Sequence, residues 1–306
     1  KELNYKKEKN KKASIKINGT LIDNKKINFN EISLIENKNS ILIKNLNLDN
    51  KFKISDIGLL ELDYKNDNKI YNQIYLKKNK NNYLLKGNSF DASKIVNQVI
   101  DGEDDNSSVF SNLSSKIDIN IKKAYLDDVY FINNLVGTVN YKNNKIDNLN
   151  LKSNFPNNKK MTLSIKTNKI NEKITTFFTS FPKPLIKRYK FIKGFEEGHL
   201  DFYSIKKDGV SNSVLVIDNF KVKEVPVLAK LLSLASLQGI ADLLTGEGIR
   251  FTDFEMKFKN KKGLMTIEDM YAIGPAVSVL MDGYIETKKL ISLRGTLVPA
   301  TTINRS

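Results

Sequence analysis

The chain of 306 residues is 40% hydrophobic and 27% charged, which excludes wholesale disorder and leaves room for two average domains or one elongated one. Its 50 Lys and Arg against 34 Asp and Glu give a net charge of +16. The excess is nearly all Lys, and Arg occurs only at Arg188, Arg250, Arg294 and Arg305, so the charge does not read as a nucleic-acid surface. The absence of Cys excludes disulfides, thiolate metal sites and cysteine nucleophiles.

The first elements are strands. Ser14-Ile15-Lys16-Ile17-Asn18 alternates polar and apolar side chains, and turn signals such as Asn66-Asp67-Asn68 follow at intervals of about ten residues. After Ser89-Phe90 the alternation stops. Asp91 can cap a short helix over Ala92 to Ile100, which runs into the acidic loop Asp101-Gly102-Glu103-Asp104-Asp105-Asn106. A calcium loop counted from Asp101 needs Gly at its sixth place and Glu at its twelfth, where this chain has Asn106 and Asn112, so the loop reads as solvated. It is also the best candidate boundary, dividing the chain into residues 1–105 and 106–306.

Alternation returns in Lys116 to Lys122 and in Met161 to Lys166, with turns at Lys142-Asn143-Asn144 and Asn157-Asn158. The prolines of Phe181-Pro182-Lys183-Pro184 introduce a second short helix over Leu185 to Phe191, before Gly194. The single histidine, His199, falls in the strand Gly198 to Phe202. With no nucleophile elbow or oxyanion turn nearby in sequence, it reads as a surface residue. Strands follow at Ser213 to Ile217 and Phe251 to Phe258, the latter carrying Phe251 and Phe254, with a turn at Lys261-Lys262-Gly263. The fold class is mostly β: antiparallel strands with one wet and one dry face, and a few short helices.

Val225 to Phe251 departs from this texture. Pro226 suits the first turn of a helix, and Val227 to Leu244 would extend about 27 Å at 1.5 Å per residue. Gly246 reads as its C-terminal stop and Gly248 as the residue that frees the chain into the next strand. Lys230, Gln238, Gly239 and Asp242 argue against a membrane span, since a central Lys or Asp costs roughly 2.5 to 3.5 kcal/mol. Leu228, Leu231, Leu232 and Leu234 form one arc, which Leu237, Ile240, Leu243 and Leu244 widen to most of the circumference. Such a helix is either core or part of a hydrophobic cavity, and the residues alone leave both open.

Pro226-Val227-Leu228-Ala229, Leu231 through Leu244, Gly246-Glu247-Gly248-Ile249-Arg250-Phe251, Gly274-Pro275-Ala276 and Leu293 through Ala300 occur in an order that resembles the AsmA-like C-terminal region of large bacterial envelope proteins. Gly87 to Ala92 is similar to that family's strand-to-helix step, so the resemblance covers roughly residues 83–306. It implies an elongated, curved sheet with an apolar groove, in a periplasmic body tethered to the inner membrane by an N-terminal helix. Along this groove phospholipid acyl chains pass toward the outer membrane, without a cofactor, metal or catalytic residue. The groove or membrane-contact residues would be Val227, Leu228, Leu231, Leu232, Leu234, Leu237, Ile240, Leu243, Leu244, Phe251 and Phe254, with Pro226, Gly246 and Gly248 shaping the turns. Envelope proteins are the further partners implied. The chain begins at Lys1 without an anchor and stops at Thr302 to Ser306, where the family continues, so the expectation is a fragment. The rival expectation is the same fold with a closed interior, contacting proteins of outer-membrane assembly.

Overall fold

A computed structural model describes residues 5–22, 26–94, 115–142, 145–187, 193–234, 237, 239–240, 242, 246–286 and 290–299. The chain divides into two compact units, Lys1–Asn158 and Lys159–Ser306. Both are mostly β, as the recurrent alternation predicts.

The first unit holds β1 (Ser14–Ile22), β2 (Lys26–Glu36), β3 (Asn39–Leu48), β4 (Ile54–Lys65), β5 (Tyr71–Asn79), β6 (Asn82–Asp91), β7 (Lys116–Tyr125), β8 (Phe131–Lys142) and β9 (Lys145–Asn154). Each strand pairs with the next in chain order. The pairs are antiparallel with one exception: β6 and β7 run parallel, Leu85 opposite Ile119. The antiparallel expectation otherwise holds for these pairs. A parallel neighbour needs a crossover rather than a hairpin, and the stretch between Asp91 and Lys116 supplies it. The proposed boundary at 105/106 falls between these two strands, outside the described residues. Of the helix expected over Ala92 to Ile100, Ser93 and Lys94 are helical and the rest lies outside the described residues, as does the acidic loop.

The second unit holds β10 (Lys160–Thr167), β11 (Lys173–Thr179), α1 (Lys183–Ile186), β12 (Lys193–Lys207), β13 (Val210–Lys223), α2 (Pro226–Leu234), β14 (Ile249–Lys261), β15 (Leu264–Ile273), β16 (Val277–Glu286) and β17 (Leu290–Pro299). Its strands form an antiparallel meander in chain order. Tight turns set the register. Asp208-Gly209 has φ of 49° and 76°, and Lys262-Gly263 has 51° and 82°, the paired positive values of a two-residue hairpin turn.

Both helices depart from expectation. Helix α1 begins two residues early because Pro182 serves as its N-cap and Pro184 fits its first turn, where no backbone N–H is needed. The Leu-rich helix starts at Pro226 as expected but does not run unbroken to Leu244. It ends at Leu234, and Leu237 is non-helical, its N–H bonding the Leu232 carbonyl at 2.9 Å, five residues back. Ser233 Oγ also donates to the Ala229 carbonyl at 3.0 Å, a local competitor that weakens the helical ladder. Gly239, Ile240 and Asp242 are helical again, while Leu243 and Leu244 lie outside the described residues.

Candidate functional site

In the first unit the period-2 alternation builds a dry face of aligned aliphatic rows. One runs Ile17, Ile32, Ile43, Leu60, Leu76, Leu85 and Ile119, each the lateral partner of the next. A parallel row runs Ile15, Leu34, Ile41, Leu62, Ile74, Gly87 and Ile121. Lateral partners project to the same side, so the rows form an aliphatic surface across seven strands, interrupted at Gly87. The opposite face presents Lys16, Ser33, Glu61, Tyr75, Lys86 and Asn120, with Leu42 as the apolar exception.

Burial along these rows is uneven. Leu60, Leu62, Ile74 and Leu76 on β4 and β5 are buried, Ile32 and Leu34 on β2 are half-buried, and Ile15 and Ile17 on β1 are 63% exposed, as is Leu21 farther along β1 at 61%. Burying an Ile or Leu fully stabilises a fold by about 1.5–3 kcal/mol, most of which these three forgo. The aliphatic surface is therefore larger than what the described residues cover.

One end of this face is closed by polar and aromatic groups. The Tyr5 ring meets Tyr64 edge-on at 5.3 Å, its hydroxyl donates to the buried Glu36 carboxylate, and the Glu8 N–H donates to the same group at 3.0 Å. Beside them Asn66 Nδ2 donates to Asp91 Oδ2 at 2.7 Å, and the Asp91 N–H donates to Asn72 Oδ1 at 2.8 Å, all three residues being buried. Burial, with the Asp91 carboxylate nearby, pushes the Tyr64 hydroxyl up to about 12. Farther along the sheet, hydrogen bonds from Lys78 Nζ at 2.6 Å and Tyr83 at 2.7 Å outweigh the burial that raises Asp56 and hold its carboxyl below the usual range.

The second unit has a dry face of different chemistry. Phe177, Phe202, Leu215, Met256, Met270 and Met281 form one row, and Leu200, Ile217, Phe254, Ala272, Val279 and Leu297 the next. At one end Phe220 stacks on Phe195 at 5.4 Å and on Phe251 at 5.5 Å, with Phe254 edge-on at 6.2 Å. Helix α2 lays Leu228 and Leu232, four residues apart on one face, onto this cluster with Val222, Ile249 and Val277.

The structure thus brings together Leu228, Leu232 and Phe251, all buried, with Leu237, Ile240 and Phe254 packed half-buried against them. Val227, Leu231 and Leu234 lie on α2, but their side chains, like that of Pro226, are outside the described set. Gly246 donates its N–H to the Asp242 carbonyl at 3.0 Å as a helix end requires. Gly248 has φ +91°, and a Cβ there would stand 2.8 Å from the Val222 carbonyl oxygen, so only glycine lets the chain enter β14 at that point.

His199 is exposed on the wet face opposite Asp218. Partial burial and then repulsion from Asp218 raise the Asp201 carboxyl, and His199 partly offsets them. No group of three His, Asp or Glu side chains placed to hold a metal ion, and no helix long and apolar enough to cross a membrane, occurs among the described residues. The aliphatic rows of β1 to β7 were not singled out as site residues from sequence. Their signal was the same alternation that identified the strands, and its alignment across strands exists only once register is known. Comparison with protein-family models, with curated proteins and with solved structures returns no match.

Proposed function

We propose that the chain is a non-enzymatic lipid-transfer module, whose apolar strand faces line a groove that guides phospholipid acyl chains between the inner and outer membranes of a bacterial envelope and so maintains the outer-membrane barrier. The observation that carries this reading is the aliphatic surface of the first unit, with Ile15 and Ile17 left 63% exposed in rows that are buried on β4 and β5. An acyl chain laid along such a row regains about 0.8 kcal/mol per buried CH₂. The ordered resemblance to AsmA-like C-terminal regions supports the same reading, and a periplasmic body tethered to the inner membrane is what that family implies. No residue is assigned covalent chemistry.

Native mass spectrometry with lipid extraction tests it. Purified protein should carry phospholipid, and Ile17→Asp, at a position exposed enough to tolerate the change, should lower the lipid-bound fraction without altering the fold. Lipid-free protein, or lipid content indifferent to Ile17→Asp and Ile32→Asp together, would sink the proposal. A second reading, an envelope assembly protein with a closed β interior, draws on the second unit, where α2 buries Leu232 and Val277 completely. It expects lipid-free protein that captures outer-membrane assembly proteins.

A further inference from the structure

Among the described residues, fourteen other than glycine have positive φ, and thirteen of them are Asn, Lys, Asp or Glu; the exception is Phe52 at +58°. A bulky residue in the left-handed region is strained where Asn or Gly would be relaxed, and such outliers cluster where the side chain has work to do. Phe52 is not used for packing. It stands at the tip of the β3–β4 turn, 74% exposed, between Lys51 and Lys53.

The tip is preorganised. Asp49 Oδ1 accepts the N–H groups of Lys51 at 2.8 Å and Lys53 at 2.9 Å, and the Phe52 N–H donates to the Asp49 carbonyl at 3.0 Å. The Asp49 carboxylate is thereby turned into the turn's own backbone, and its two backbone donors hold its carboxyl below the usual range. The neighbouring tip at the same end of the sheet, between β5 and β6, carries Lys77, Lys78 and Lys80, all exposed.

We propose that this end of the first unit docks on an anionic phospholipid bilayer, with the Phe52 ring entering the headgroup–acyl boundary and Lys51, Lys53, Lys77 and Lys80 held at the charged surface. An aromatic ring flanked by cations on flexible stems fits that interface: the ring is apolar yet tolerates the headgroup layer, and lysines are attracted to anionic lipid as point charges. A single-stranded nucleic acid fits less well, because no second exposed aromatic at these two tips continues a stacking platform and neither tip carries Arg. The assignment is independent of the groove: it stands equally if the apolar faces are closed.

The chain has no Trp, so Phe52→Trp makes a single-tryptophan reporter. With vesicles of phosphatidylcholine containing about 30% phosphatidylglycerol, its emission should shift to the blue and be quenched by brominated acyl chains, and neither should occur with phosphatidylcholine alone. Co-sedimentation of the unmodified chain should fall roughly fivefold for each of Lys51→Gln and Lys53→Gln, and should weaken with salt. Phe52→Asn relaxes the turn, so it should keep or raise the Tm while lowering vesicle binding. Unshifted emission on anionic vesicles, or binding untouched by Phe52→Asn, would overturn the proposal. So would stronger, Phe52-dependent binding to a single-stranded oligonucleotide.

Discussion

The two units solve the same problem with different materials. The strands of each present one dry face, and each closes one end of it. The first fills its rows with Ile and Leu and closes the end with Tyr64, Tyr5 and a buried Asn66–Asp91–Asn72 network. The second uses Phe and Met and closes the end with an amphipathic helix. A helix seals by area, adding apolar contact wherever it lies flat, whereas a polar network seals only if each donor meets its acceptor. The first unit's closure is thus geometrically stricter and the second's more forgiving of small shifts, a difference that substitution can probe.

The largest effect is expected in the second unit. Leu232→Ala should cost about 2–5 kcal/mol, since the side chain is fully buried and α2 is too short to hold itself without that contact. Urea denaturation followed by hydrogen exchange should show the loss in β13, β14 and β16 while β3 to β5 stay protected; a uniform loss would break the comparison. In the first unit Asp91→Ala strands the buried Asn66 amide and should cost about 1–3 kcal/mol, with Asp91→Asn recovering part of it because its carbonyl can still accept.

Alkali should separate the units more gently. Tyr64 keeps its proton to about pH 12 in the folded chain but loses it near 10 when unfolded, so the folded state binds more protons between those values. Stability from this group is complete below pH 10 and is lost as pH rises through 12. Circular dichroism across pH 9 to 12 should show that decline, with a shallower slope in Tyr64→Phe. Smallest of all, Ile17→Ser should shift stability by less than about 1 kcal/mol, because the side chain is already mostly exposed. A larger cost in chemical denaturation would mean that β1 is covered in solution.

Strand identity was readable from sequence because alternation is local: Lys116 to Lys122, Met161 to Lys166 and Phe251 to Phe258 all lie within strands. Pro226 likewise marked its helix start, since a proline's fixed φ acts on its own residue. What sequence could not supply was lateral. That Ile17, Ile32 and Ile43 share a row depends on register, and the parallel β6–β7 step depends on a pairing between strands separated by a long connection. The early end of α2 was hidden because Leu, Ala and Ser continue past Leu234 with good helical propensity, and a five-residue-back hydrogen bond overrides it. Phe52 was overlooked because an aromatic in a strand-rich chain reads as core until its exposure and backbone angle are known.

The parallel contact between β6 and β7 also orders events in time. The other strand contacts of the first unit's meander are formed between chain neighbours joined by short turns, so they can zip one hairpin after another within microseconds to milliseconds. The β6–β7 contact joins strands far apart in sequence, so its loop-closure cost exceeds that of a hairpin. On that ordering two pieces, β1 to β6 and β7 to β9, would meet at the β6–β7 seam. A chain emerging from a ribosome would have the first piece complete while the strand that seals it was still being made.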